Sequence, residues 1–242
     1  MVRIVIIGAG PAGINCAQTL ARALKPADNT EVVVLEKSKF FYHAVGTPRA
    51  YTDASFTPKL FIPYDQAIPA SAASFVKIKI NDDDQEEGDI QSVEYDYLIA
   101  KADSILIVGG GARLDTSLVT DRGFIKVNAQ LQLEGTAYQH IYALGDATNH
   151  ATPKLAYWAG QQGTFLATEL LAVVRGKQSA VTKPFPKVEV EALLLPLGPC
   201  GGVSQLPVLG GMVVGDTMTW LVKSRDFFAG KTWASLGAKM PN

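Results

Sequence analysis

The stretch RIVIIGAGPAG, residues 3–13 of this 242-residue chain, decides its fold. Val2, Ile4, Val5, Ile6 and Ile7 form an unbroken apolar run, the pattern of a strand buried on both faces rather than one. Gly8-x-Gly10-x-x-Gly13 follows at once, and Ile14, Ala17, Leu20, Ala21 and Leu24 then recur on one helical face. Strand, glycine turn and helix in that order are the setting a dinucleotide fingerprint requires. Gly8 permits the turn, Gly10 lets backbone approach a pyrophosphate, and Gly13 lets helix and strand pack closely. Pro11 and Ala12 complete the turn. The helix N-terminus that follows offers unpaired N–H groups and the positive end of a dipole to the phosphates.

A second apolar strand, Glu31 to Leu35, ends in Glu36, 23 positions past Gly13. That is near the ~20 expected of the acid that holds ribose hydroxyls, and a carboxylate there repels a 2′-phosphate. FAD or NAD is therefore expected over NADP. Lys37 stands beside the acid at the same strand end.

The second decisive stretch is QHIYALGDATN, residues 139–149. Ile141 to Leu144 reads as a short buried strand, and Gly145, Asp146 and Ala147 end it. Helix-like sequence runs from Leu155 to Val174. An Asp beside a glycine at a helix entrance can set a carboxylate on a ribityl hydroxyl and an N–H on a phosphate. This Gly-Asp-Ala pattern resembles the second FAD motif of the two-dinucleotide-binding flavoproteins, with Lys154, Leu155 and Ala156 at the helix entrance.

Further segments narrow the resemblance. FYHAVGTPRA (41–50), GFIKVNAQLQLEG, TPKLAYWAG and LVKSRDFFAGKTW (221–233) resemble the apoptosis-inducing-factor-2-like, ferroptosis-suppressor flavoproteins, which are similar to type II NADH dehydrogenases. The resemblance implies FAD or a modified FAD, oxidation of NAD(P)H and reduction of quinones. It also implies action at membranes or lipid droplets without spanning them. It places the loop of His43 beside the isoalloxazine ring, and it lets Arg49 either reach the pyrophosphate or hold that loop. Lys154, a cation set against a helix N-terminus, is where packing alone would not choose one. Near the pyrimidine edge of a flavin it would stabilise the anionic reduced ring. His43 and Lys154 are thus the candidate catalytic residues.

The expected fold is α/β: a Rossmann-like FAD-binding three-layer domain over residues 1–184 and a small α+β module over residues 185–242. The nicotinamide domain that the family inserts is largely missing near residues 100–112, where ADSILIVGGG runs straight into ARLDTSLV. A second fingerprint at Gly109 is rejected, because Asp115 to Ser117 leaves no room for a helix. The leading function is an FAD-dependent NAD(P)H:quinone oxidoreductase with weak or absent NADH oxidation in this form. The alternative is a non-catalytic FAD-binding or partner-binding remnant.

Composition sets the outer bounds. A net charge of −1 excludes the basic surplus of a nucleic-acid binder. No apolar run reaches the ~18 residues of a membrane span, and Val2 is not an N-myristoylation acceptor. The expected place is cytoplasmic, peripheral to membranes at most. Cys16 and Cys200 form no dithiol motif, and Cys16 reads as a small buried apolar residue. The acidic run NDDDQEEGD, residues 81–89, lacks an EF-hand pattern, so no metal is expected. Met218, Leu221, Val222 and Phe228 form an amphipathic set with Lys223, Arg225 and Lys231. It suits either anionic headgroups or packing onto the FAD domain. Arg175 to Lys183 reads as a linker.

Overall fold

The computed structural model describes residues 1–80, 97–100, 116–188 and 192–241. The acidic run at 81–89 and the expected junction at 101–112 lie outside the described residues. In chain order the elements are β1 (Val2–Ile7), α1 (Pro11–Ala23), β2 (Thr30–Glu36), β3 (Phe40–Tyr42), α2 (Thr47–Thr52), β4 (Phe61–Pro63), β5 (Val76–Ile80) and β6 (Tyr97–Ala100). They continue as β7 (Ile141–Ala143), α3 (Ala156–Val174), β8 (Leu193–Leu197), β9 (Gly201–Gln205), β10 (Val213–Val214), α4 (Asp216–Thr219) and α5 (Ala229–Ser235). The chain divides into two compact units: Met1–Lys39 with Gln66–Phe185, and Phe40–Asp65 with Pro186–Asn242.

The first unit is an all-parallel sheet in the order β5-β2-β1-β6-β7. Its two faces explain the unbroken apolar run in β1. On one face Ile6 lies under Gly13 of α1, and α1 packs along α3. On the other, Val5 and Val33 join Leu118, Ile125, Val127, Leu133, Ile141 and Ala143 in one cluster. Leu118 to Leu133 is a meander of short bridges, and it also covers the outer side of β7: Leu133 N–H donates to the Ile141 carbonyl, and Ala143 N–H to that of Leu131. Helices, sheet and meander are the three layers of a Rossmann-like α/β fold.

The region after α3 departs from the linker expectation. Arg175 grips Asp28 through Nε (3.0 Å) and Nη2 (2.9 Å) and donates to the Ala23 carbonyl, so it joins the C-terminal ends of α1 and α3. The pair holds the Asp28 carboxyl down to about 2. Lys183 and Gln178 both reach the buried Glu169 carboxylate. A linker would leave these partners in water. Here the carboxylate buried on α3 draws the chain back onto the helix.

Cys16 is fully buried in α1, and burial pushes its thiol up to about 12, whereas Cys200 is exposed. Only a thiolate reacts. A thiol reagent is therefore expected to label one cysteine in the folded protein and two in denaturant. Labelling of both before unfolding would contradict the burial of Cys16.

In the second unit, residues 40–65, expected within the first domain, group with the C-terminal segment. The β3–β4 ladder pairs Tyr42 with Phe61, and three long-range hydrogen bonds tie this stretch to residues 224–233. The three-stranded antiparallel sheet β10-β9-β8 carries α4 on one face, where Ser204 bonds Thr219 and the Asp216 carboxylate accepts from Gly202 N–H. Strand β9 was not foreseen: GGVSQ holds two glycines and little apolar pattern, so only its pairing with β8 and β10 makes it a strand.

Candidate functional site

In a parallel open sheet, ligands bind beyond the carboxyl ends of the strands, where the chain order reverses. Here the reversal lies between β1 and β6. Gly8 follows the end of β1, Glu36 ends β2, and Gly145 follows β7, so all three stand at one edge of one sheet.

Gly8 sits at φ 87°, in the left-handed region that favours glycine. Its N–H donates to the Leu35 carbonyl at 2.7 Å, which ties the turn to β2. A Cβ on Gly13 would lie 1.9 Å from the Gly8 carbonyl oxygen, so only glycine lets α1 start this close to β1. Gly10 is the N-cap and makes no side-chain cap, and Pro11 begins α1. The first turn of α1 therefore keeps backbone donors for an anion.

Glu36 is buried, and its carboxylate turns back on the glycine loop. Oε2 accepts Ala9 N–H at 2.6 Å, and Oε1 accepts Lys37 N–H at 2.9 Å and Ser38 N–H at 3.2 Å. An ionised carboxylate has about four acceptor positions. Three are used, which leaves room for one ribose hydroxyl. The cradle that a Cβ would fill, the uncapped helix start and this acid fit the adenosine-diphosphate half of a dinucleotide. Lys37 itself is exposed.

The expected second half falls after β7. Gly145, at φ 72°, opens a single turn of 3-10 helix over Gly145–Ala147 that leaves Asp146 exposed. The Lys154 ammonium donates to the carbonyls of Thr148 (2.6 Å) and His150 (3.1 Å) and stands 5.5 Å from the centre of the Phe124 ring. Desolvation lowers its pKa, against the raising effect of the nearby Asp146 charge. Leu155 caps α3 and Ala156 begins it; both are exposed, and no side chain caps the helix.

Sequence reasoning missed the side chains that hold this turn. Gln162 of α3 is 1% exposed; its Oε1 accepts Gly145 N–H at 2.7 Å and its Nε2 donates to Thr152 Oγ1 at 2.7 Å. Thr148, also buried, donates its hydroxyl to the Gly145 carbonyl. The glutamine directly before Gly163 in α3 was the signal available. Gly163 is as constrained as Gly13, since a Cβ there would lie 2.1 Å from the Ala12 carbonyl oxygen of α1.

His43 and Arg49 belong to the second unit. His43 is buried, with Nε2 2.8 Å from the Phe227 carbonyl, so that nitrogen carries the proton. Arg49 Nη2 donates to the Ser224 carbonyl at 2.6 Å, and its guanidinium lies 5.1 Å from the centre of the Phe227 ring. Both of these contacts run from Arg49 to residues 224–227. Together the two side chains grip a strained turn in which Phe227 and Phe228 both have positive φ.

Burial lowers the His43 pKa below its ordinary 6.5, against the opposing Phe227 carbonyl and Asp226 charge. As pH falls below 6.5 the unfolded state takes the proton first, so His43's contribution is complete above that value and is lost as pH drops through the lower folded-state pKa. The urea midpoint reported by tryptophan fluorescence is expected to fall more steeply between pH 7 and 5 in the native protein than in His43→Gln. Parallel pH profiles would refute this.

Comparison with known proteins follows this geometry. Residues 2–100 match the family described as pyridine nucleotide-disulphide oxidoreductase. The chain is 38% identical over 122 residues to ferroptosis suppressor protein 1 of Taeniopygia guttata, covering 50% of this chain and 30% of that protein. It is 25% identical over 252 residues to the Xenopus tropicalis protein of that name, covering 98% of this chain and 62% of the relative. Apoptosis-inducing factor homolog B of Dictyostelium discoideum is 29% identical over 126 residues, covering 52% of this chain and 31% of that protein. The chain thus spans less than two thirds of the length of these relatives. Among solved structures, the sulfide:quinone oxidoreductase of Aquifex aeolicus superposes with a TM-score of 0.63 at 10% identity, over 97% of this chain and 92% of that one, which shows a shared fold. Over residues 2–100 the chain is similar to the pyridine nucleotide-disulphide oxidoreductases, and its relatives include ferroptosis suppressor protein 1 and an apoptosis-inducing factor homolog.

Proposed function

We propose that this chain holds FAD and works as an oxidoreductase that takes electrons from a reduced nicotinamide nucleotide and passes them to a quinone. The observation that carries the reading is the shared edge: the glycine turn, Glu36 and the Gly145-Asp146 turn all end strands of one parallel sheet on the same side. The α1 N-terminus takes the pyrophosphate, Glu36 a ribose hydroxyl, and Asp146 a ribityl hydroxyl. Lys154 sets positive charge beside the ring's pyrimidine edge, with Leu155 and Ala156 at its side. FAD supplies hydride acceptance and electron transfer; the protein's part is to bind, orient and tune it. The quinone is supported by the relatives' resemblance and by the name of the Aquifex protein.

The same reading includes a peripheral membrane contact through the C-terminal module. Leu193, Leu195 and Leu197 of β8, with Val203 and Val213, are exposed on one sheet face. No described helix is long and apolar enough to cross a membrane.

A second reading, a flavin-holding protein without turnover, is favoured by one observation. The described residues contain one parallel sheet with one complete glycine fingerprint, and the chain spans only part of its relatives. The deciding experiment is the visible spectrum of the purified protein with added FAD, followed by anaerobic NADH and then a water-soluble quinone. The expected result is bound FAD, slow bleaching by NADH, and rapid recovery of colour with quinone. No bound flavin overturns the proposal. Bound flavin that neither NADH nor NADPH reduces establishes the second reading.

A further inference from the structure

Two adjacent residues of α3 reach opposite ends of the site. Successive helical residues point about 100° apart, so Gln162 and Gly163 address different neighbours. Gly163 lies against the backbone of Ala12 and Cys16 in α1, the helix that begins at the glycine turn. Gln162 lies against Gly145. A neutral primary amide can accept and donate at once, and Gln162 does both: it receives Gly145 N–H and gives a hydrogen to Thr152 Oγ1. Thr152 in turn contacts His150 Nδ1 through its N–H and hydroxyl, and the His150 carbonyl accepts from Lys154. Asp146 and Lys154 therefore hang on one loop that a single buried side chain anchors at both ends.

We infer that Gln162 is a positioning residue that, with Gly163 beside it, sets the spacing between the two halves of the dinucleotide site and fixes Asp146 and Lys154 relative to the glycine turn. This rests on the reading that the chain binds FAD. Gln162 is buried and acts through Gly145 and Thr152. Methionine at this position keeps the length and loses both hydrogen bonds. Glutamate keeps the acceptor for Gly145 N–H and cannot donate to Thr152.

The test uses Gln162→Met and Gln162→Glu, each alone and with Asp146→Asn. Hydrogen exchange of the Gly145 amide is followed in cofactor-free protein, and FAD affinity by fluorescence titration. Gln162→Met is expected to speed Gly145 exchange by roughly 5–100-fold, the equivalent of one lost buried hydrogen bond, and to weaken FAD on the order of tenfold. In the Asp146→Asn background the loss of affinity is expected to shrink, the coupling that a positioning role produces and independent destabilisation does not. Gln162→Glu is expected to restore Gly145 protection and part of the affinity. Wild-type protein that does not bind FAD sinks the proposed function and this inference with it. Wild-type binding with an unchanged Gln162→Met affinity, or strictly additive losses, overturns this inference alone.

Discussion

Gly163→Ala is expected to lower the melting temperature of the nucleotide-binding unit by roughly 4–8 °C and to cut FAD affinity at least about tenfold. The added Cβ would lie 2.1 Å from the Ala12 carbonyl oxygen and 3.1 Å from Cys16 N, both backbone atoms, so no side chain can swing aside. The helices must part. Overpacking of this kind costs about 3 kcal/mol, with helix propensity returning ~1 kcal/mol of it. Parting the helices also shifts α3, and with it the Gly145 turn, so binding falls beyond the loss of stability. Gly215→Ala is the control: nothing lies within 4 Å of its Cβ and its φ is −92°. It is expected to melt within about 1 °C of wild type. Equal melting temperatures for Gly163→Ala and the control, measured by circular dichroism, would show that the helices do not meet through this glycine.

Glu36→Leu should remove the dinucleotide site and destabilise the unit together. The carboxylate collects three backbone N–H groups at 2.6–3.2 Å. Hydrogen bonds to a charged acceptor contribute roughly 1.5–3 kcal/mol each, less than additively. A loss of about 3 kcal/mol is expected, with FAD affinity reduced on the order of 100-fold. Glu36→Gln keeps one acceptor oxygen but turns an NH2 toward the same N–H groups, so it is expected to fall between the two. Urea unfolding and FAD titration of the three proteins check the order. A Glu36→Leu protein as stable as wild type would mean that the acid serves the ligand alone.

Strand β1, the glycine turn, α1, strand β2 with its acid, strand β7 and α3 were legible because each is a local matter. Apolar runs, a helical face and glycines at fixed offsets report the environment of a single segment. The same locality explains the errors. Residues 175–183 look polar and linker-like, yet Arg175 finds Asp28 and Lys183 finds Glu169, and neither partner is visible from within the segment. Residues 40–65 look like part of the first domain, yet their hydrogen bonds run to residues 224–233.

The amino-acid sequence by itself therefore determined a Rossmann-like α/β unit and the two ends of its candidate dinucleotide site, because close backbone approach demands glycine and ribose hydroxyls demand a carboxylate at set spacings. Only tertiary structure decided what holds those ends apart and what His43 and Arg49 touch. Gln162 meets Gly145 across 17 residues, and His43 meets Phe227 across 184. A hydrogen bond between side chain and distant backbone leaves no periodic trace in the chain; it exists only once packing has brought its partners within 3 Å.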